Sequence, residues 1–246
     1  MIVEVCAGSL QDCLIAQECN AHRIELNTAI ALGGLSASVA LLDEVKQRVS
    51  IPVVCMVRPR GAGFCYNNNE KALMLKEAEW LLKYGADGIV FGCLTSERKI
   101  DIPFSREMIR LVHAYKKDVV FHRAFDCLYD AHEGMETLID LGVNRLLTSG
   151  LHESAWEGRT MLKRLHQQYG QHIEMCMGAG INQDNIITLM QETGIKQCHG
   201  SFKGWFEDKT TTGHQVHYRY GKGDCYDGVD ANVLKLFMNT LKGVNV

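Results

Sequence analysis

One short pattern recurs along this chain and limits its fold more than any other feature. An Asn or Gly is followed by a small or branched apolar residue, then a polar one, then an apolar run. The copies start at Asn20, Gly85, Gly142 and Gly194 and read NAHRI, GADGI, GVNRL and GIKQC. Asn and Gly tolerate the left-handed conformation that ends a helix, and the apolar residue after them packs back on the last turn. Each copy therefore predicts a helix ending and a strand beginning. The intervals run from 52 to 65 residues, about twice the roughly 30 residues of one strand-helix unit, so each holds two units.

The intervening strands are expected at Ile2 to Cys6, Val53 to Arg58, Val119 to His122 and Ile173 to Met177. Helical spacing fills the gaps. Glu70 to Tyr84 places Leu73, Trp80, Leu81 and Tyr84 on one face, and Ser105 opens a helix to Ala114 as its N-cap. Eight strands alternating with eight helices, with no Pro inside a strand, predict a closed parallel (β/α)8 barrel. A doubly wound open sheet is the rival architecture, which eight evenly repeated units disfavour. At 246 residues, 46% of them hydrophobic, the chain suits a single TIM-barrel domain over 1–246. A long stretch from Ser201 to Gly228 lacks periodicity and precedes a last helix, Val229 to Leu241. Its Trp205, Phe206, Tyr218, Tyr220 and Tyr226 are expected to pack over the barrel mouth, and a homodimer contact would use the same residues.

Composition narrows the function classes. A net charge of -3 from interspersed charges leaves no basic block to grip a phosphate backbone, which argues against nucleic acid. The apolar run at Ile2 to Cys6 follows Met1 without a charged leader, and no apolar stretch suits a bilayer. The expectation is a soluble, cytoplasmic protein with no membrane partner. The ten cysteines are scattered, mostly within apolar runs and with no CxxC pair, so most read as small buried hydrophobes rather than a zinc knuckle.

In a barrel of this type, binding and catalytic groups gather at the C-terminal ends of the strands. Counting five residues on from each cap gives equivalent positions: Glu25, Val90, Leu147 and His199. Hydrophobes suffice there for folding, so Glu25 and His199 call for another explanation. Glu25, between Ile24 and Leu26, points into the lumen if those two face the helices. A lumenal carboxylate needs partners. Glu4, Arg58, Arg60, His122, Arg123 and Asp126 stand at the ends of odd strands, and a structural ion-pair network plugging the barrel competes with a functional role.

Arg58 and Arg60 flank Pro59 before Gly61, a stiff cationic turn suited to a carboxylate or phosphate. Gly178 and Gly180, with Asn182 as N-cap of the next helix, and Ser201 after His199 occupy the usual phosphate position of the fold. Thr148 and Ser149 would add donors. No Lys ends a strand, which disfavours Schiff-base chemistry. The acid and base groups for an enzyme are Glu25, His122, Asp126 and His199, with the arginines as anion binders. That set fits a lyase or isomerase moving protons on a small anionic substrate, for example a phosphorylated one. No organic cofactor is evident.

The ordered motifs EVC, RIELN with GGL after it, RPRGAGFCY, FHRAFD, LTSG and GAGI, from Ile2 to about Ser201, resemble those of the CutC family of copper homeostasis proteins. The resemblance implies a cytosolic TIM barrel with a role in copper homeostasis or Cu(I) binding, through thiols near the barrel mouth. Cys6 is the thiol kept here. The family pattern IELC reads Ile24, Glu25, Leu26, Asn27 in this chain, so the second thiol is absent. Cys55, Cys176 or Cys198 would substitute only if they face the lumen. Copper binding and barrel enzymology both stay open at this point.

Overall fold

The computed structural model describes residues 1–242. Eight parallel strands close into a barrel in sequence order. They are β1 (Ile2–Ala7), β2 (Arg23–Leu26), β3 (Val53–Met56), β4 (Gly88–Phe91), β5 (Asp118–Phe121), β6 (Arg145–Thr148), β7 (Glu174–Met177) and β8 (Gln197–Gly200). Seven helices cover it: α1 (Leu10–Glu18), α2 (Val39–Arg48), α3 (Asn68–Lys83), α4 (Ile102–Ala114), α5 (Ala131–Leu141), α6 (Arg159–Tyr169) and α7 (Ile186–Thr193). All four junction residues adopt the left-handed conformation: φ is 62° at Asn20, 91° at Gly85, 82° at Gly142 and 77° at Gly194. The repeated pattern marks helix-to-strand turns as expected.

Alternation along each strand divides the apolar residues into two cores. Ile24, Leu26, Val53, Cys55, Phe91, Phe121 and Cys198 pack outward against the helices. A separate cluster of Val54, Met56, Val90, Val120, Leu147 and Cys176 fills the lumen. Of the three alternative thiols, only Cys176 thus faces inward. Glu25, opposite Cys6 in register, also faces inward. Below it lies a charged floor, where Glu4 accepts from the Arg23 guanidinium and Arg23 Nη2 donates to Gln197.

Several local expectations need correction. In α3 the buried stripe is Met74, Ala78, Leu81 and Leu82, whereas Leu73, Trp80 and Tyr84 are exposed. The row at i, i+4, i+7 from Met74 meets the sheet, and the aromatic row one residue aside pairs with itself, Trp80 against Tyr84. Helix α4 starts before Ser105, because Asp101 caps it and Pro103 fits its first turn; Ser105 lies buried inside. Helix α7 starts after Asn185, and Asn182 instead caps the preceding turn through its side chain.

The aperiodic stretch contains an antiparallel hairpin, β9 (Lys203–Glu207) and β10 (Cys225–Val229), ahead of α8 (Ala231–Leu241), which Asp230 caps. Its aromatics pair with one another, Trp205 with Tyr220 and Phe206 with Tyr226. They do not roof the barrel mouth. Phe206, Tyr220 and Tyr226 instead border a groove with Asp12, Ile15 and Leu32, held there because Asp12 accepts from the Val229 amide across the chain.

Candidate functional site

At the C-terminal end of the barrel an open cavity of about 310 Å³ descends into the lumen. Its floor is built by three adjacent strands, β8, β1 and β2, which bring His199, Cys6 and Glu25 side by side. One donor atom from each of these three lies within 4.8 Å of the others. Among the described residues this is the one group of three or more His, Cys, Asp or Glu side chains close enough to share an ion.

The charged floor beneath orients the trio. Glu4 Oε1 receives a 2.8 Å hydrogen bond from His199 Nδ1, which leaves His199 Nε2 for the cavity side. Burial alone would push the Glu4 carboxyl up, but the His199 bond and the Arg23 charge pull it down to about 2. Burial opposes a charge on His199, yet the Glu25 charge and the bonds to Cys6 and Glu4 raise its pKa well above the usual histidine value. Desolvation raises the Glu25 carboxyl and also the Cys6 thiol.

Asn27, at the position of the absent thiol, is fully buried and works as a bracket. Its Nδ2 donates to Glu25 Oε1 at 2.9 Å and reaches Cys6 Sγ at 3.4 Å. Glu25 Oε2 has no protein partner. In the GGL motif Gly34 makes room for this bracket and Gly33 for the Arg58 guanidinium. Both have positive φ, and a Cβ on Gly34 would strike the Asn27 side chain. Between them a fork is closed, since Arg58 Nη1 donates at 3.1 Å to the carbonyls of Leu32, Gly33 and Gly34, and Nη2 to Ala62.

Opposite stands His122, whose Nδ1 accepts from the Ala124 amide at 3.1 Å. That bond fixes the proton on Nε2. Burial, with the nearby Arg58 charge, depresses its pKa to about 3, so the ring is neutral. Phe64 packs against it, ring centroids 5.1 Å apart, and the Arg58 guanidinium lies over the Phe64 ring at 5.0 Å.

The structure brings Cys6, Glu25, Arg58, His122, Arg123, Gly180, His199 and Ser201 to the cavity wall and leaves Arg60, Asp126, Thr148, Ser149 and Gly178 off it. Arg60 turns outward to Glu70 and to loop carbonyls. Asp126 is an organiser of the loop after β6: it accepts from Thr148 Oγ1, from the Ser149 amide and hydroxyl, and from the Leu151 amide, and it pairs with Arg123. Thr148 and Ser149 are thereby spent. The Gly178 amide donates to the Thr148 carbonyl, and Gly178 itself is small because a Cβ there would crowd Leu147.

Composition and spacing missed the apolar part of the wall: Ile30, Met56, Phe64, Leu147 and Ile181. Leu147 was within reach, standing at the same counted position as Glu25 and His199. Phe64 sits in the RPRGAGFCY motif, where only the arginines carried a chemical signal.

Comparison with known proteins agrees with this architecture. The family model described as CutC family matches residues 1–204. A CutC family protein of Treponema denticola is 37% identical over 217 residues, covering 88% of this chain and 87% of the relative. The human copper homeostasis protein cutC homolog is 38% identical over 200 residues, 81% of this chain and 72% of the relative. The crystal structure of CutC from Streptococcus agalactiae superimposes with a TM-score of 0.77 at 31% identity, covering 82% of this chain and 98% of that one. Phosphoribosylanthranilate isomerase of Thermotoga maritima, at 13% identity and TM-score 0.58 over 99% of this chain and 100% of its own, shares the barrel fold. No helix among the described residues is long and apolar enough to cross a membrane.

Proposed function

This chain belongs to the CutC family, and from that premise we propose that it serves copper homeostasis by carrying one Cu(I) ion at the barrel mouth. The ion would be held between the Cys6 thiolate and His199 Nε2, with Glu25 as a third donor. The observation that carries this reading is the convergence of three unlike donor atoms within 4.8 Å on adjacent strands. A thiolate is the soft ligand that favours Cu(I), and imidazole suits copper in either oxidation state.

The surrounding groups suit such a role. A carboxylate on the far nitrogen of a ligating histidine fixes its tautomer and strengthens it as a donor, and Glu4 stands in that place. The buried Glu25 Oε2 lacks a protein partner, which a cation would supply. Asn27 sets a limit on the site. An amide is a poor Cu(I) ligand, so this chain offers one thiol where the family pattern offers two. Cys176 lies deeper in the lumen among apolar residues and adds no donor to the trio.

An anaerobic Cu(I) competition titration on wild type, Cys6→Ser and Glu25→Gln tests the proposal. The expected result is one tightly bound equivalent in wild type, weaker binding in Glu25→Gln and loss in Cys6→Ser. Weak binding that is indifferent to both substitutions would overturn it.

A further inference from the structure

A copper ion would occupy only a small part of the cavity. A volume of about 310 Å³ corresponds to roughly ten water molecules at about 30 Å³ each. It lies at the lower end of small-molecule pockets, which run from about 300 Å³ upward. Apart from the Cys6, Glu25 and His199 trio, its wall has the composition of such a pocket, with Met56, Phe64, Leu147 and Ile181 among a few polar groups.

Two of those polar groups are donors without acceptors. His122 Nε2 and Arg58 Nε are both buried and unpartnered, on residues 4% and 5% exposed. The Ala124 amide on Nδ1 makes Nε2 of His122 an N–H donor. Arg58 has spent its terminal nitrogens on carbonyls, and it has no carboxylate partner among the described residues. The neighbouring arginines have carboxylate partners, Arg23 in Glu4 and Arg123 in Asp126. The Arg58 charge remains uncompensated in a desolvated place, which is costly unless an anion shares it.

We propose that this part of the cavity binds a small organic carboxylate, its oxygens accepting from His122 Nε2–H and Arg58 Nε–H and its apolar body lying on Met56, Leu147 and Ile181. Phe64, half-buried against both donors, shields them from bulk water and would close on the ligand's face. A carboxylate suits the place better than a phosphate. The Gly178 amide donates to the Thr148 carbonyl and is closed to a phosphate, and the two unpartnered donors, His122 Nε2 and Arg58 Nε, match the two oxygens of a carboxylate. The site needs no metal, so its fate is separate from that of the copper reading.

The test uses metal-free protein in excess chelator, wild type and Cys6→Ser, titrated with 4-fluorobenzoate and followed by 19F NMR. The neutral isostere 4-fluorobenzamide and inorganic phosphate serve as comparisons. Saturable binding of 4-fluorobenzoate is expected in both proteins, with the amide bound about tenfold more weakly or worse, the effect of losing a charge-assisted bond. His122→Asn keeps an oxygen to accept from Ala124 but has nothing at Nε2, and should weaken binding about tenfold. His122→Gln, which restores a nitrogen donor near Nε2, should recover part of the loss. Equal affinity for acid and amide, no saturable binding, or an unchanged His122→Asn would overturn the proposal. Displacement of the probe by an equal concentration of phosphate would overturn the carboxylate assignment. A failed copper titration leaves these readouts standing.

Discussion

Replacing Glu4 by Gln removes the one carboxylate on which the charged floor depends. Glu4 is 1% exposed and receives both the Arg23 guanidinium and His199 Nδ1. The substitution keeps the shape, leaves Arg23 charged and buried without its counter-ion, and releases His199 from its tautomer. Removing one partner of a buried pair costs about 3–5 kcal/mol. A second route gives a similar size. The Glu4 carboxyl is drawn from 4.5 to about 2, and at about 1.4 kcal/mol per unit this corresponds to about 3 kcal/mol. Because the folded value is depressed, that stability is present above pH 4.5 and is lost as pH falls toward 2. A loss of about 3 kcal/mol in a chain of this size lowers Tm by roughly 6–12 °C. Urea and thermal unfolding followed by circular dichroism at pH 7, and again at descending pH, measure it. Glu44→Gln, which breaks the exposed Arg48 pair, is the control and should change stability by less than about 0.5 kcal/mol. A Glu4→Gln protein as stable as wild type at pH 7, or a difference that persists unchanged at the lowest pH, would refute the reasoning.

Three further outcomes are expected. Gly34→Ala places a Cβ at φ 81° against the Asn27 side chain and should cost about 3 kcal/mol by strain and overpacking, read as a lowered urea midpoint. Asp87 accepts from Lys46, Lys117 and the Val53 amide. Burial resists the charge, but these partners hold its carboxyl below 3.8. Asp87→Asn should therefore lose about 1 kcal/mol at pH 7, and the deficit should vanish as pH falls through the depressed value. Asn27→Cys sets a second thiol beside Cys6, in place of an amide 3.4 Å from its sulfur, and should tighten Cu(I) binding in the same competition titration; unchanged affinity would place the ion elsewhere.

The barrel was legible because its evidence is local. Asn20, Gly85, Gly142 and Gly194 each mark a turn that the neighbouring few residues dictate, and two-residue alternation then sends Glu25 and His199 inward. The anion site read from Arg58, Arg60 and Gly178 was less so. An arginine's charge is visible in sequence, but the carbonyls that consume its donors arrive from Leu32, Gly33 and Gly34, a helix and a strand earlier in the chain. Asp126, Thr148 and Ser149 satisfy one another for the same nonlocal reason. The α3 face was misread because Trp80 and Tyr84 are large and apolar in composition, whereas burial follows the row that meets the sheet, led by Met74 and Ala78. Ser105 was displaced as a cap by Asp101, which stands just ahead of Pro103 in the helix's first turn.

Copper K-edge X-ray absorption on the complex with one equivalent of Cu(I) tests the central claim most directly. A single sulfur scatterer accompanied by nitrogen or oxygen, with the sulfur lost in Cys6→Ser, is the result the Cys6, His199 and Glu25 site predicts. Two or more sulfurs around the metal, or a spectrum that Cys6→Ser leaves unchanged, would contradict it.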